Sequence, residues 1–205
     1  MKRSIPVKHY LFRDINAVIQ FLIASDIIIV GAGGLLGPIF ALFIEDFIVG
    51  GNAAVAGIAA AIYLLTKSLG QIPVAMFIDK IRGEKDDFYV MLTFSIITAL
   101  LPLAYLMITT PLHLYIVQFF YGLATAMTFP SYMAIFTRHI DTHKEGTEWG
   151  VYFTLTDLSS AAFSAIGGYI AITIGFPALI MMTTALSLMG TLLLLPIKSF
   201  LRFKK

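Results

Sequence analysis

Residues 53–108, AAVAGIAAAIYLLTKSLGQIPVAMFIDKIRGEKDDFYVMLTFSIITALLPLAYLMI, consist of two long apolar runs separated by a short charged loop. The runs cover about 26 and about 21 residues, and a helix needs about 20 apolar residues to cross a bilayer. The loop carries Lys80, Arg82 and Lys85. Because short loops rich in Lys and Arg stay on the cytoplasmic side, the stretch predicts two antiparallel membrane helices joined at the inner face.

The same pattern continues in both directions and predicts six spans, numbered 1 to 6 along the chain. Their predicted limits are Asn16–Ile44, Ala53–Ile78, Phe88–Ile108, Leu112–Phe136, Trp149–Ile174 and Pro177–Ile197. Thirteen of the fourteen Lys and Arg residues lie before span 1, between spans 2 and 3, between spans 4 and 5, or after span 6. This alternation predicts an all-α membrane domain over residues 16–197, with a cytoplasmic N-terminal segment (1–15) and a basic cytoplasmic tail (198–205).

The composition agrees with a chain that is covered by lipid. Hydrophobic residues make up 59% and charged residues 13%, whereas a soluble domain has about 25% charged residues. The net charge of +2 comes from the cytoplasmic edges, so nucleic-acid binding is not indicated. There is no Cys, which excludes disulfides, a thiol nucleophile and a cysteine metal site. We expect a lipid bilayer as partner, no cofactor, no metal site and no enzyme activity.

Three residues of the types Asp, Glu, Lys and Arg fall inside predicted spans: Asp26 in span 1, Lys67 in span 2 and Asp157 in span 5. Each costs roughly 2.5–3.5 kcal/mol on insertion scales, so each is a candidate functional residue. Counted from the inner boundary they are about nine, eleven and eight residues deep, or roughly 12 to 17 Å. An Asp–Lys–Asp cluster is therefore possible. It would be either a permanent ion pair that fixes helix packing or a site for a coupling ion, a proton or a charged substrate.

Polar and small residues share one face on each of spans 1, 2, 4 and 5. Further substrate or coupling candidates on these faces are Gln118, Tyr121 and Tyr63. We expect these four spans to surround a polar path and spans 3 and 6 to face lipid. Close packing of small residues, as in Gly33-x-x-x-Gly37, is the competing interpretation. Tyr152 is predicted to be an interfacial anchor at the start of span 5.

The first three spans resemble the last three weakly. Residues 38–44 (PIFALFI) and residues 130–136 (PSYMAIF) each precede a charged turn and a helix that bears a Gly near its start. Two copies of three spans must be inverted relative to each other, and a 3+3 inverted repeat is typical of transporters. Chance similarity is the alternative interpretation, because Pro and small residues are common in membrane helices.

The loop between spans 2 and 3 resembles a signature of the major facilitator superfamily. Asp79 matches the signature Asp and Lys80 the following base, while Gly83 and Lys85 match the later Gly and base if Arg82 is an insertion. Span 4, from Gln118 to Pro130, resembles the fourth helix of that family, although Gln118 stands where proton-driven antiporters carry an Arg. Residues 165–168 (AIGG) resemble the end of the fifth helix. Residues 16–197 thus resemble the N-terminal six-helix half of such a transporter.

The resemblance implies a function and an assembly. Helices 1, 2, 4 and 5 would line the central path, and the loop with Asp79, Lys80, Arg82, Gly83 and Lys85 would be a cytoplasmic gate whose charges latch onto a neighbouring helix. Family members hold two such halves, whereas this chain holds one. The expected function is a half-size transporter subunit in the plasma membrane that moves a small solute by alternating access, coupled to an ion or a proton. It would pair with itself or with a second half through its second and fifth helices. The alternatives are a non-transporting scaffold or a fragment of a longer transporter.

Overall fold

The computed structural model describes residues 15–80 and 83–201, and all regular structure within them is helical. Six helices are long and apolar enough to cross a membrane: span 1, Ala17–Phe47; span 2, Ala53–Lys80; span 3, Lys85–Leu106; span 4, Pro111–His139; span 5, Glu145–Thr173; span 6, Phe176–Ser199. The predicted all-α fold with six spans is confirmed. Most of the predicted segment 1–15, residues 202–205 of the predicted tail, and Arg82 of the predicted gate lie outside the described residues.

Three spans change from α-helix to a tighter 3₁₀ turn, and each turn has a proline at its second residue. The turns are Gly37–Ile39 in span 1, Leu101–Leu106 at the end of span 3 and Leu195–Ser199 at the end of span 6. Proline removes a backbone donor and clashes with the preceding turn, so the regular helix ends there. The α-helical part of span 1 therefore divides into Ala17–Leu36 and Phe40–Phe47, while that of span 3 is Lys85–Leu100 and that of span 6 is Phe176–Leu192.

The spans pack as an open arc in the order 2, 4, 3, 6, 1, 5. Small residues bring the neighbours close together. A side chain at Gly122 would meet the backbone oxygen of Tyr63 on span 2, and one at Gly167 would meet the backbone of Leu35 on span 1. Spans 2 and 5 stand at the two ends of the arc, so each has one side that no other span covers. The surface of the arc between these two sides is called its uncovered side. Spans 1 and 4 touch only lightly, which leaves a gap between them.

Two separate apolar clusters hold the arc together. The inner cluster joins spans 1, 3, 4 and 6 and includes Leu22, Met91, Phe136 and Ile197, all fully buried or nearly so. The outer cluster joins the opposite ends of the spans around Phe43, which contacts Phe176 at a ring distance of 5.6 Å. Both clusters exclude water and stabilise the bundle by apolar burial. The middle layer between them holds Asp26 and a group of hydroxyl side chains.

Candidate functional site

A cleft lined by a carboxyl group, hydroxyl groups and aromatic rings occupies the gap between spans 1 and 4, at the level between the two apolar clusters. It consists of a cavity of about 300 Å³ beside Asp26 and an outer cavity of about 320 Å³ beside Gln118. Gly33, Tyr63 and Tyr121 line both cavities, so the two are continuous. No atom lies within 4 Å of the position that a side chain at Gly33 would take. The cleft therefore opens along span 1 toward the uncovered side of the arc.

Spans 3 and 6 form the floor of this cleft. Their contribution is a group of hydroxyl side chains: Ser95, Thr98, Thr183, Ser187 and Thr191. The prediction that spans 3 and 6 only face lipid was wrong on this side of each helix. Lipid offers a hydroxyl no hydrogen-bond partner, so these side chains lie in the cleft, where water or a polar solute can provide one.

Asp26 lies at the inner end of the cleft and is bound by a residue of span 5. The hydroxyl of Tyr152 donates a hydrogen bond of 2.9 Å to Asp26 Oδ2. Tyr152 was predicted to be an interfacial anchor, but its hydroxyl is bound to a carboxyl group within span 1. Span 5 begins at Glu145, four residues before its predicted start at Trp149. Tyr152 therefore lies about 10 Å along the helix from its inner end. Its position joins span 5 to the cleft.

Several buried hydroxyls around the cleft have no hydrogen-bond partner among the described residues. They are Thr98 Oγ1, Tyr132 Oη and Thr183 Oγ1, and Tyr132 Oη lies close to the Asp26 carboxyl without meeting it in hydrogen-bond geometry. A buried polar group left unsatisfied costs about 1–3 kcal/mol. The cleft thus offers donors and acceptors at fixed positions to water or to a polar solute.

The aromatic residues predicted as substrate contacts are brought together in the same cleft. The rings of Tyr63 and Tyr121 lie 5.6 Å apart at 59°, on facing sides of spans 2 and 4. Gln118 is buried one turn away and lines the outer cavity with Tyr105. This arrangement places apolar ring faces next to polar groups, which suits a solute that has both apolar and polar surface.

The three ionisable residues of the predicted cluster are not brought together within one chain. Lys67 Nζ lies 5.2 Å from the ring centre of Phe129 on span 4, and it has no ion pair in the part of the chain that the structure describes. Asp157 is exposed on span 5. Spans 2 and 5 lie at opposite ends of the arc, which explains the separation. Asp26 alone of the three lines the cleft.

At the inner face, the loop between spans 2 and 3 is held by the side chains of Arg138 and Asp87, which were not predicted, and by the backbone of Gly83, which belongs to the predicted gate. Arg138, near the end of span 4, forms an ion pair with buried Asp87 and donates a hydrogen bond of 3.3 Å to the backbone oxygen of Gly83. Asp79 and Lys80 are exposed and form no ion pair with any described residue. Opposite charges at the adjoining inner ends of antiparallel spans 3 and 4 were the sequence signal for this contact.

Comparison with known families identifies one match. A family model described as Major Facilitator Superfamily matches residues 22–202, which include spans 2 to 6 and most of span 1. Comparison with curated proteins gives no match.

Proposed function

Because the chain belongs to the major facilitator superfamily, whose members are membrane transporters and not enzymes, we propose that this multi-pass membrane protein supplies half of a transport path and moves a small polar solute by alternating access. The observation that supports this proposal is the cleft. It is lined by a carboxyl group, hydroxyl groups and aromatic rings, lies between two apolar clusters, and opens on the uncovered side of the arc, where a second half would close it.

The lining of the cleft favours one class of solute. Cavities of about 300 and about 320 Å³ are at the small end of the range for small-molecule sites. Hydroxyls without partners can bind the polar groups of a solute, and the rings of Tyr63 and Tyr121 can cover its apolar faces. We therefore expect a compact solute that is rich in hydroxyl or amino groups and carries no net negative charge, because Asp26 would repel an anion.

Asp26 is proposed as the coupling residue. Among the described residues that line the cleft it is the one carboxyl group, and it is in contact with the hydroxyl of Tyr152. Protonation or cation binding at Asp26 would change the hydrogen bonds available at the inner end of the cleft. Such a change can favour one orientation of the transporter over the other if the ion binds the two orientations with different affinity.

The test begins with the unidentified solute. Monosaccharides, amino acids and quaternary amines would be screened for a rise in Tm of the protein in nanodiscs, and stabilising solutes would then be assayed for uptake into proteoliposomes. For such a solute, Asp26→Asn should abolish uptake driven by an ion gradient and retain exchange of solute across the membrane. Asp46→Asn is the matched control, since Asp46 is exposed at the outer end of span 1 and does not line the cleft. Unchanged gradient-driven uptake in Asp26→Asn would rule out its role in coupling.

We also propose that both chain ends are cytoplasmic and that the membrane is the plasma membrane. In the structure Lys80, Arg138 and Lys144 lie at one end of the bundle, and the turn at Val49 lies at the other. Because the chain has no Cys, a single cysteine can report the orientation. In intact cells Val49→Cys should react with a membrane-impermeant maleimide, and Thr142→Cys should react only after the cells are opened. The reverse pattern would overturn this orientation.

A non-transporting scaffold is the rival function. The charges of Lys67 and Asp157, which form no ion pair with any described residue, favour it if they bind a different protein. The scaffold predicts a stable complex with another chain and no stabilisation by any solute. Solute-dependent stabilisation that is lost in Tyr121→Ala would exclude it, since Tyr121 lines the cleft and has no part in the outer faces of spans 2 and 5.

A further inference from the structure

Lys67 and Asp157 place opposite charges on the two ends of the arc. Lys67 is half-buried beside span 4, Asp157 is exposed on span 5, and neither forms an ion pair with any residue that the structure describes. Charged groups inside a membrane are costly and normally pair with each other or face an aqueous cavity. Apart from the ring of Phe129 beside Lys67, neither charge has a partner among the described residues, so both are available to pair with a group beyond them.

The two charges lie at matching depth. Lys67 is thirteen residues from Lys80 at the inner end of span 2, and Asp157 is twelve residues from Glu145 at the inner end of span 5. At 1.5 Å per residue these separations are about 20 Å and about 18 Å. The agreement is within the length of either side chain, so the two groups can meet if the spans lie side by side.

The face of span 5 around Asp157 is shaped for close contact with another helix. Gly150, Thr154 and Ala161 share its stripe at intervals of three or four residues, and all are exposed. No atom lies within 4 Å of the position that a side chain at Gly150 would take. The adjoining face of the same helix is already used, because Ser164 donates a hydrogen bond of 3.2 Å to the backbone oxygen of Gly34 on span 1.

We propose that the uncovered side of the arc binds a second copy of this chain through two symmetric ion pairs, each between Lys67 of one copy and Asp157 of the other. A two-fold axis along the membrane normal brings span 2 of each copy against span 5 of the other and keeps every residue at its own depth. Such self-pairing requires the positive and the negative group to lie at equal depth. An unrelated partner imposes no such requirement, so the match in depth favours a second copy.

The dimer completes the transport path that the proposed function requires. Only this purpose of the dimer rests on the proposed function. The clefts of the two copies open on the same side as the ion pairs, so they would face each other across the axis. The contact itself depends on the charges of spans 2 and 5. Its test therefore uses no solute and gives a result even if the screen for a transported solute fails.

Charge reversal tests the two pairs. The mass of the protein in nanodiscs would be measured for the wild type, Lys67→Asp, Asp157→Lys and the variant with both changes. Each single reversal places like charges opposite each other and should raise the dimer Kd by at least about tenfold, whereas the double reversal should restore the dimer. A wild-type protein that is monomeric, or a double reversal that stays as weak as the single ones, overturns the proposal. Elution as one sharp species in gel filtration checks that each variant is folded.

Cross-linking in the natural cysteine-free background locates the contact. One tagged copy with Lys67→Cys and a differently tagged copy with Asp157→Cys would be co-expressed and treated with a short bismaleimide. A cross-link that carries both tags is expected. The control pair, Ile96→Cys with Met189→Cys, uses residues of spans 3 and 6 that are 40% and 56% exposed, and it should give none. Equal yields from the two pairs, or a product with a different protein in place of the second copy, would contradict the proposal.

Discussion

Two adjacent glycines on span 5 give a sharp test of how closely spans 1 and 5 approach. A β-carbon at Gly167 would collide with the backbone oxygen of Leu35, and backbone cannot move aside as a flexible side chain can. A β-carbon at Gly168 would have no atom within 4 Å. The two positions share the same helix, the same chemical change and the same level in the membrane. They differ only in the neighbour that the new methyl group meets.

The expected magnitudes follow from this difference. Replacing Gly by Ala inside a helix is favourable by about 0.8–1 kcal/mol, and this gain applies to both variants. At Gly167 the overpacking of a tight contact costs about 1–3 kcal/mol, and backbone contact places the cost at the upper end. We therefore expect Gly168→Ala to be as stable as the wild type or slightly more stable, and Gly167→Ala to be less stable than Gly168→Ala by about 2 to 3 kcal/mol.

Unfolding in mixed detergent micelles with increasing SDS, followed by far-UV circular dichroism, would measure the two free energies. Because Tyr152 and Asp26 lie on the same pair of spans, Gly167→Ala should also weaken the contact that positions Asp26. Equal free energies of unfolding for the two alanine variants would refute the reasoning, since they would mean that spans 1 and 5 do not touch at Gly167.

Three further predictions concern single contacts, each measured as a free energy of unfolding. Arg138→Gln and Asp87→Asn should each lower the free energy of unfolding. The loss in the double variant should be smaller than the sum of the two single losses by about 1 to 3 kcal/mol. Additive losses would mean that the ion pair contributes nothing. Tyr152→Phe should lower the free energy of unfolding by about 1 to 3 kcal/mol, because it removes the hydrogen bond to Asp26. At the exposed Tyr89 the same change should alter stability by less than about 0.5 kcal/mol, and similar values for the two variants would contradict the Tyr152–Asp26 contact. Asn52→Ala should cost about 1 kcal/mol, because the Asn52 side chain accepts hydrogen bonds from the first turn of span 2, and no loss would exclude a capping role.

The spans could be predicted from the sequence because a bilayer imposes a length of apolar chain that soluble helices rarely reach. Asp26 could be identified as well, since a carboxyl group inside a membrane helix is costly and therefore conspicuous. Its partner Tyr152 could not be found in this way. That contact depends on how span 5 is rotated and on its register along span 1, and the sequence pattern indicates neither.

The orientation of spans 3 and 6 shows a more general limit. In a soluble protein the apolar face of a helix points inward, so periodicity indicates which residues are buried. In a membrane, lipid is as apolar as the protein interior, so an apolar face does not show whether it points to lipid or to the other helices. The hydroxyls of span 6 could be assigned to the cleft only after the neighbours of that span were known. The separation of Lys67 from Asp157 likewise depended on the order of the spans around the arc.

The two apolar clusters have a mechanical consequence. The inner cluster joins spans 1, 3 and 4 on the inner side of the cleft, and the outer cluster joins them on its outer side. The helices that form the walls of the cleft are therefore packed against each other at both of their ends. Bending one wall away from the other would break dense packing at one end or the other. If the chain transports as proposed, rotation as a rigid block is therefore the least costly movement of this bundle, because it would change the access of water to the cleft and keep the shape of the cleft.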